Sequence, residues 1–183
     1  MAGYACFDTP VGPCGLAWND AGELRGAQLP EGNLGATLAR LRKRFPDLTE
    51  AEPPETVAHT LRRWHAVLAE GTKDTLADVA LSYQGVPPFH QRVLELTRRI
   101  RPGQTRSYGE LARELGDPTA ARAVGQALGA NPFAPIVPCH RVMAAGGQAG
   151  GFSGPGGLQG KLRLLQLEGA PLGAQSSQQP GLF

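Results

Sequence analysis

The sequence predicts a mixed α/β (α+β) fold: a short antiparallel sheet with helices in the first half, and a helical unit built on a helix-turn-helix in the second. Three observations carry this. Short apolar runs near the N-terminus are broken by hairpin-type turns. Apolar residues then recur at helical intervals through the middle of the chain. After residue 100, a capped helix, a glycine-bearing turn and a helix of small residues follow one another.

The elements follow in order. "YACFDTPVGPCGLAWNDAGELRGAQL" alternates apolar runs with Pro-Val-Gly and Asn-Asp-Ala-Gly, which predicts two or three short strands joined by hairpins. "LGATLARLRKRF" spaces Leu34, Leu38, Leu41 and Phe45 as one helical face. "PETVAHTLRRWHAVLAEG" does the same with Val57, Leu61, Trp64 and Leu68, and Gly71 is placed to close that helix. "DVALSYQGVPP" reads as a strand or extended connector, and the residues from Gly85 to Pro88 as a domain junction. "PFHQRVLELTRRIRPG" predicts a helix with Val93, Leu96 and Ile100 inward, stopped by Pro102-Gly103. Ser107 and Glu110 make a capping-box pair at the start of "YGELARELG". Gly116 ends that helix, Asp117-Pro118 turns the chain, and "TAARAVGQALGAN" forms the next one. No internal repeat is present. The expected division is a first domain over 1–86, a second over 87–169, and a tail over 170–183 rich in Gly, Ser, Gln and Pro.

Composition bounds the class. In 183 residues, 41% are hydrophobic and 19% charged, which reads as a globular chain with a real core. No run approaches a membrane span, and "MAGYACFDTP" is not a signal peptide. Three cysteines without a framework of spacings favour free thiols in a reducing compartment, so a cytoplasmic location is expected. The Arg-over-Lys, Ala- and Gly-rich bias is that of a GC-rich bacterial genome. Net charge is +2 and unevenly spread. Residues 1–88 carry 8 basic and 11 acidic side chains, and residues 89–168 carry 10 and 5. A basic second half is the coarse footprint of a nucleic-acid binder, and equally that of a solvated surface.

Within that half, Ala120, Ala121, Ala123, Gly125, Ala127, Gly129 and Ala130 leave little bulk on the second helix. Such a helix can lie close to another surface, whether a neighbouring helix or a duplex. Arg122 is its one long cation.

The stretch "PIVPCHRV" sets Cys139 beside His140. A free thiol is mostly protonated at neutral pH and needs a base or a positive environment to act as a nucleophile. Adjacent side chains point apart in a strand, so contact between them requires a turn or helix start, which Pro138 favours. A helix N-terminus there would stabilise a thiolate. The histidine needs an orienting acceptor, and Glu168 in "LLQLEG" is the leading carboxylate. Taken alone, the dipeptide also fits a buried structural cysteine next to a hydrogen-bonded histidine.

The wider constellation resembles the O6-alkylguanine-DNA alkyltransferases, or methylated-DNA–protein-cysteine methyltransferases. "RPGQTRSYGELA", "ARAVGQALGANPFAP", "IVPCHRV", "GGFSG" and "LEG" occur in the family's order and spacing between Phe89 and Gly169. "YACFDTPVG" and "NDAGEL" resemble its N-terminal strands more loosely. The resemblance implies a ribonuclease-H-like antiparallel sheet with helices, then a winged-helix-like helix-turn-helix domain. It also implies single-use repair, in which the alkyl group of O6-alkylguanine, and of O4-alkylthymine as a second substrate, passes irreversibly to the protein. Cys139 takes the nucleophile's position, His140 that of a base acting through water, Glu168 that of the carboxylate orienting it, and Asn131 that of the brace below the active-site loop. Tyr108 matches the tyrosine that assists nucleotide rotation, and Arg122 the finger that fills the vacated stack. Ala121, Ala123 and Gly125 take positions on the helix that enters the minor groove. Val142, Ser153 and Gly154 match the lining of the guanine pocket. The implied partner is double-stranded DNA carrying the lesion, met by a monomer associated with the nucleoid, with no membrane contact.

Some positions depart from the family. Phe152 stands where a tyrosine is frequent. Ala134 replaces a proline of mammalian members, so their inhibitor sensitivity is not carried over, and Gly150 leaves the pocket wall open. Some members bind a structural zinc through N-terminal Cys and His. Cys6 and Cys14, with His59, His65 and His90, do not match that spacing, so no metal or other cofactor is expected and both cysteines read as core residues. The last five residues, with Gln179, Leu182 and Phe183, resemble peptides that dock on bacterial sliding clamps, and that contact is carried as a hypothesis. The alternative to repair is a non-catalytic binder or sensor of alkylation damage; Cys139 argues against it.

Overall fold

The computed structural model describes residues 1–149 and 157–170. Three strands form the first half's antiparallel sheet, in the order β1 (Gly3–Phe7), β2 (Cys14–Trp18), β3 (Leu24–Gln28). Helices α1 (Leu34–Arg44) and α2 (Glu55–Glu70) cover its two faces. Every residue of β2 is buried, as a central strand between two layers must be. Its two faces differ in bulk. Cys14, Leu16 and Trp18 meet Val57, Trp64 and Leu68 of α2, whereas Ala17 meets Leu41 of α1 and Phe45 just past its end. The α1 side is held close by missing side chains: a Cβ on Gly15 would sit 2.4 Å from Leu41 Cδ1, and one on Gly26 2.5 Å from Phe45 Cζ. Both sheet edges are covered. Residues 49–51 bond Tyr4 on β1, and residues 80–82 bond Leu24 on β3. The expected strand or connector over 78–88 is thus an extended edge segment with one bridge to β3, followed by a turn.

Local signals hold where the physics is local. Asn33 caps α1 by accepting from Ala36 N–H, and Gly71 closes α2 in the left-handed conformation at φ 64°. Cys14 is a core residue, and Cys6 is half-buried opposite Gly15; burial pushes both thiols up to about 11.

The second half holds α3 (Pro88–Thr97), α4 (Tyr108–Glu114) and α5 (Ala121–Gly129) around Val93, Leu94, Leu111, Val124, Leu128 and Phe133. The helix expected to reach Ile100 ends at Thr97: Pro102 has no N–H to bond the Arg98 carbonyl four residues back and its ring crowds that carbonyl, so the helical ladder cannot run on. Ile100 stays buried through a turn instead. Ser107 Oγ accepts from Glu110 N–H at 3.1 Å and the Glu110 carboxylate accepts from Ser107 N–H at 2.6 Å, completing the capping box. Two short segments, β4 (Arg106–Ser107) and β5 (Val142–Met143), pair in parallel. Helix α6 (Gly157–Leu167) follows. No helix among the described residues is long and apolar enough to cross a membrane.

Candidate active site

Residues 131–138 run from the end of α5 into a 3-10 turn, Cys139–Arg141. The turn is what lets neighbouring side chains serve one site. Pro138 starts it, and Val142 N–H closes it on Cys139 O. Cys139 is 8% exposed and His140 2%. Burial pushes the Cys139 thiol up. A hydrogen bond with the Asn131 side chain, the charge of Lys161 and the first N–H groups of the turn pull it back without cancelling that rise.

Asn131 is pinned at both ends of its amide. Its Oδ1 accepts from Phe133 N–H at 2.9 Å, and its Nδ2 donates to Val137 O at 2.9 Å. Val137 O also accepts from Cys139 N–H at 2.8 Å, so the Asn131 side chain and the Cys139 backbone share an acceptor.

Glu168 lies one residue past α6 and meets His140 Nε2 at 2.7 Å. Burial alone would raise its carboxyl; the hydrogen bonds from His140 and Arg141 outweigh that and hold it at about 2. Glu168 is therefore ionised at neutral pH, and Nε2 carries the proton it donates. Burial keeps the imidazole below its ordinary value, so the ring is neutral there. Its other nitrogen, Nδ1, is buried and has no hydrogen-bond partner among the described residues. A neutral imidazole with one nitrogen held by a carboxylate can accept a proton at the other.

Two residues that the sequence reading passed over complete the arrangement. Arg141 is 4% exposed, grips both oxygens of Glu168 (Nε to Oε2 at 3.0 Å, Nη2 to Oε1 at 2.8 Å), and donates to Ile100 O. Lys161 is wholly buried, donates to Val142 O at 2.6 Å, and is brought down to about 8 by desolvation. Two signals could have found Lys161. It is the one lysine among ten basic residues in 89–168, and Lys161, Leu165 and Glu168 share a helical face at i, i+4 and i+7.

The helix-turn-helix residues stand apart from this chemistry but adjacent to it. Tyr108, half-buried at the start of α4, is raised first by burial and then by the nearby Cys139, so it keeps its proton. Gly125 faces it, with a Cβ there 3.8 Å from the ring. Arg122 is exposed on α5 and its side chain makes no hydrogen bond or ion pair among the described residues; Ala121 and Ala123 flank it, half-exposed. Val142 is buried with N–H and C=O both engaged, so its backbone adds only a spare carbonyl lone pair to a pocket. Ser153 and Gly154, with Gly150, Phe152 and the expected clamp-binding residues 179–183, lie outside the described residues. No three His, Cys, Asp or Glu side chains gather as metal ligands among those described.

Residues 88–170 match the family model described as 6-O-methylguanine DNA methyltransferase, DNA binding domain. The methylated-DNA–protein-cysteine methyltransferase of Mycobacterium tuberculosis is 38% identical over 170 residues, covering 92% of this chain and 93% of that one. A DNA base-flipping protein of Thermus thermophilus is 44% identical over 132 residues, covering 71% and 87%. The crystal structure of the Mycobacterium tuberculosis protein in complex with DNA superposes with a TM-score of 0.66 at 36% identity, covering 92% and 95%. Sequence, fold and the Asn131–Cys139–His140–Glu168 geometry agree: the chain belongs to the methylated-DNA–protein-cysteine methyltransferase family.

Proposed function

We propose that the protein repairs alkylated DNA by moving the alkyl group of O6-alkylguanine onto its own Cys139, once per molecule. The observation that carries the reading is the relay itself: a buried thiol, a neutral His140 with Nδ1 free to accept, and Glu168 fixing the opposite nitrogen. The Cys139 proton passes to His140 Nδ1 through a water. The thiolate attacks the alkyl carbon, an S–C bond forms, the C–O6 bond breaks, and the electron pair stays on guanine, which takes up a proton. Tyr108, still protonated at neutral pH, donates a hydrogen bond to the base. Neither metal nor cofactor enters. The thioether product has no route back to a thiol, so the protein is consumed.

The target atom lies inside the duplex, so the nucleotide is rotated out at a cost of a few kcal/mol. The low bulk of Ala121, Ala123 and Gly125 suits a narrow minor groove, and Arg122 has the reach to fill the vacated stack. Affinity comes chiefly from phosphate contacts, with little sequence readout, and the protein acts as a monomer in the bacterial cytoplasm and on the nucleoid. The guanine pocket includes Val142, Ser153 and Gly154, O4-alkylthymine is a second substrate, and 179–183 is a clamp-binding peptide. The domains divide at 86/87 and 169/170.

A duplex with one O6-methylguanine, followed by intact mass and peptide mapping, tests the reading. One methyl on Cys139, saturating at one per molecule and absent in Cys139→Ala, is the expected result. The likeness to a DNA base-flipping protein favours one alternative, a damage binder. Tight lesion binding without methylation of Cys139 would select it.

A further inference from the structure

We propose that Arg44, on α1 in the first half of the chain, is a positioning residue for the alkyl transfer: it fixes the peptide between Pro132 and Phe133, and through that peptide the Asn131 amide that faces Cys139. This rests on the repair reading above, with Cys139 as acceptor.

The Pro132 carbonyl accepts two hydrogen bonds from the first half of the chain, Ala27 N–H at 2.9 Å and Arg44 Nη2 at 2.9 Å. The N–H of the same peptide, on Phe133, donates to Asn131 Oδ1. One planar unit is thus held on its oxygen by β3 and α1 and on its nitrogen by the active-site asparagine. Donors on the carbonyl polarise the N–H opposite, so each bond strengthens the next. With Oδ1 committed, Asn131 can turn only its NH2 toward Val137 O.

Arginine suits the position because one guanidinium reaches three acceptors. Nη1 donates to Ala27 O at 2.7 Å and to Gln28 Oε1 at 2.8 Å while Nη2 holds Pro132. Lysine offers a point charge instead of a planar fork. The Phe45 ring lies under the guanidinium at 5.1 Å. Gly26 makes room, since a Cβ there would come within 3.0 Å of Pro132 O. The loop is anchored on both sides of this grip: Phe133 is buried in the second core and Ile136 in the first. Arg44's hydrogen bonds all point inward, so the residue acts on the loop and leaves the DNA-facing helix untouched.

The test measures single-turnover methyl transfer from an O6-methylguanine duplex, affinity for an unmodified duplex, and iodoacetamide labelling of the Cys139 peptide without DNA. Arg44→Met is expected to slow transfer and labelling about tenfold, with duplex affinity unchanged. Arg44→Lys should recover part of that loss. On an Asn131→Ala background, Arg44→Met should add almost nothing, because both changes cut one chain. The proposal is overturned if folded Arg44→Met transfers and labels at the parent rate, if its effect multiplies fully with Asn131→Ala, or if its rate loss only mirrors lost DNA affinity. Should Arg44→Met fail to fold, Arg44→Lys decides, a parent-like rate overturning the proposal. If the unaltered protein methylates nothing, the repair reading fails, and the labelling series still decides whether Arg44 governs Cys139.

Discussion

Replacing Glu168 by glutamine should expose how much the relay contributes to the fold. The carboxyl is brought from an ordinary 4.5 to about 2 and is 10% exposed, which corresponds to about 3 kcal/mol of stability at neutral pH. Its folded value lies below the unfolded one, so the unfolded chain binds more protons between pH 4.5 and 2. The stabilisation is therefore complete above the unfolded value and is lost as pH falls through that window. Glu168→Gln cannot titrate, and it leaves Arg141, 4% exposed, without its counter-charge. Urea unfolding, followed by fluorescence of the buried Trp18 and Trp64, should show Glu168→Gln less stable by about 3 kcal/mol at pH 6.5. That gap should close steadily toward pH 2.5. The other depressed carboxylates, Glu95, Asp74 and Asp78 among them, are common to both proteins and cancel in the difference. A gap below about 1 kcal/mol at pH 6.5, or two curves that run parallel down to pH 2.5, would refute the reasoning.

Two further outcomes follow from the same geometry. Lys161→Met keeps the length and removes the cation facing Cys139, so the thiol should move further up and iodoacetamide labelling of Cys139 at pH 7.5 should slow by roughly three- to tenfold; labelling at the parent rate would deny Lys161 any electrostatic role. Ser107→Ala removes one half of the capping box and should cost about 1 kcal/mol, while Ser107→Gly should cost only a few tenths. A thermal melt in which both behave alike would show that α4 does not depend on that cap.

Much of this was legible in sequence, for one physical reason: the signals were local. Helical spacing in α1 and α2, the Ser107–Glu110 pair and Gly71 depend on residues within a turn or two of each other, and all reappear as expected. α3 stopped short of the expected length, because the proline beyond it acts a full turn upstream. The members of the candidate site were legible as a list, since Cys139 and His140 adjoin and Asn131 and Glu168 sit in motifs that resemble a known family. What only the tertiary structure decided is how those residues meet and what charge each bears. Burial holds His140 neutral even though Glu168, 28 residues on, takes Nε2 and by itself would favour the charged ring. Arg141 and Lys161 look like ordinary surface cations until α6 folds over the turn and buries both. Arg44 lies 88 residues before Pro132, and no local pattern links them. Sequence by itself determined most of the elements, which rest on short-range sterics, and singled out Cys139 as the candidate nucleophile through the motif it sits in. Burial, desolvation and hydrogen bonds between distant segments exist only once the chain has folded, and they decide which protons those groups hold.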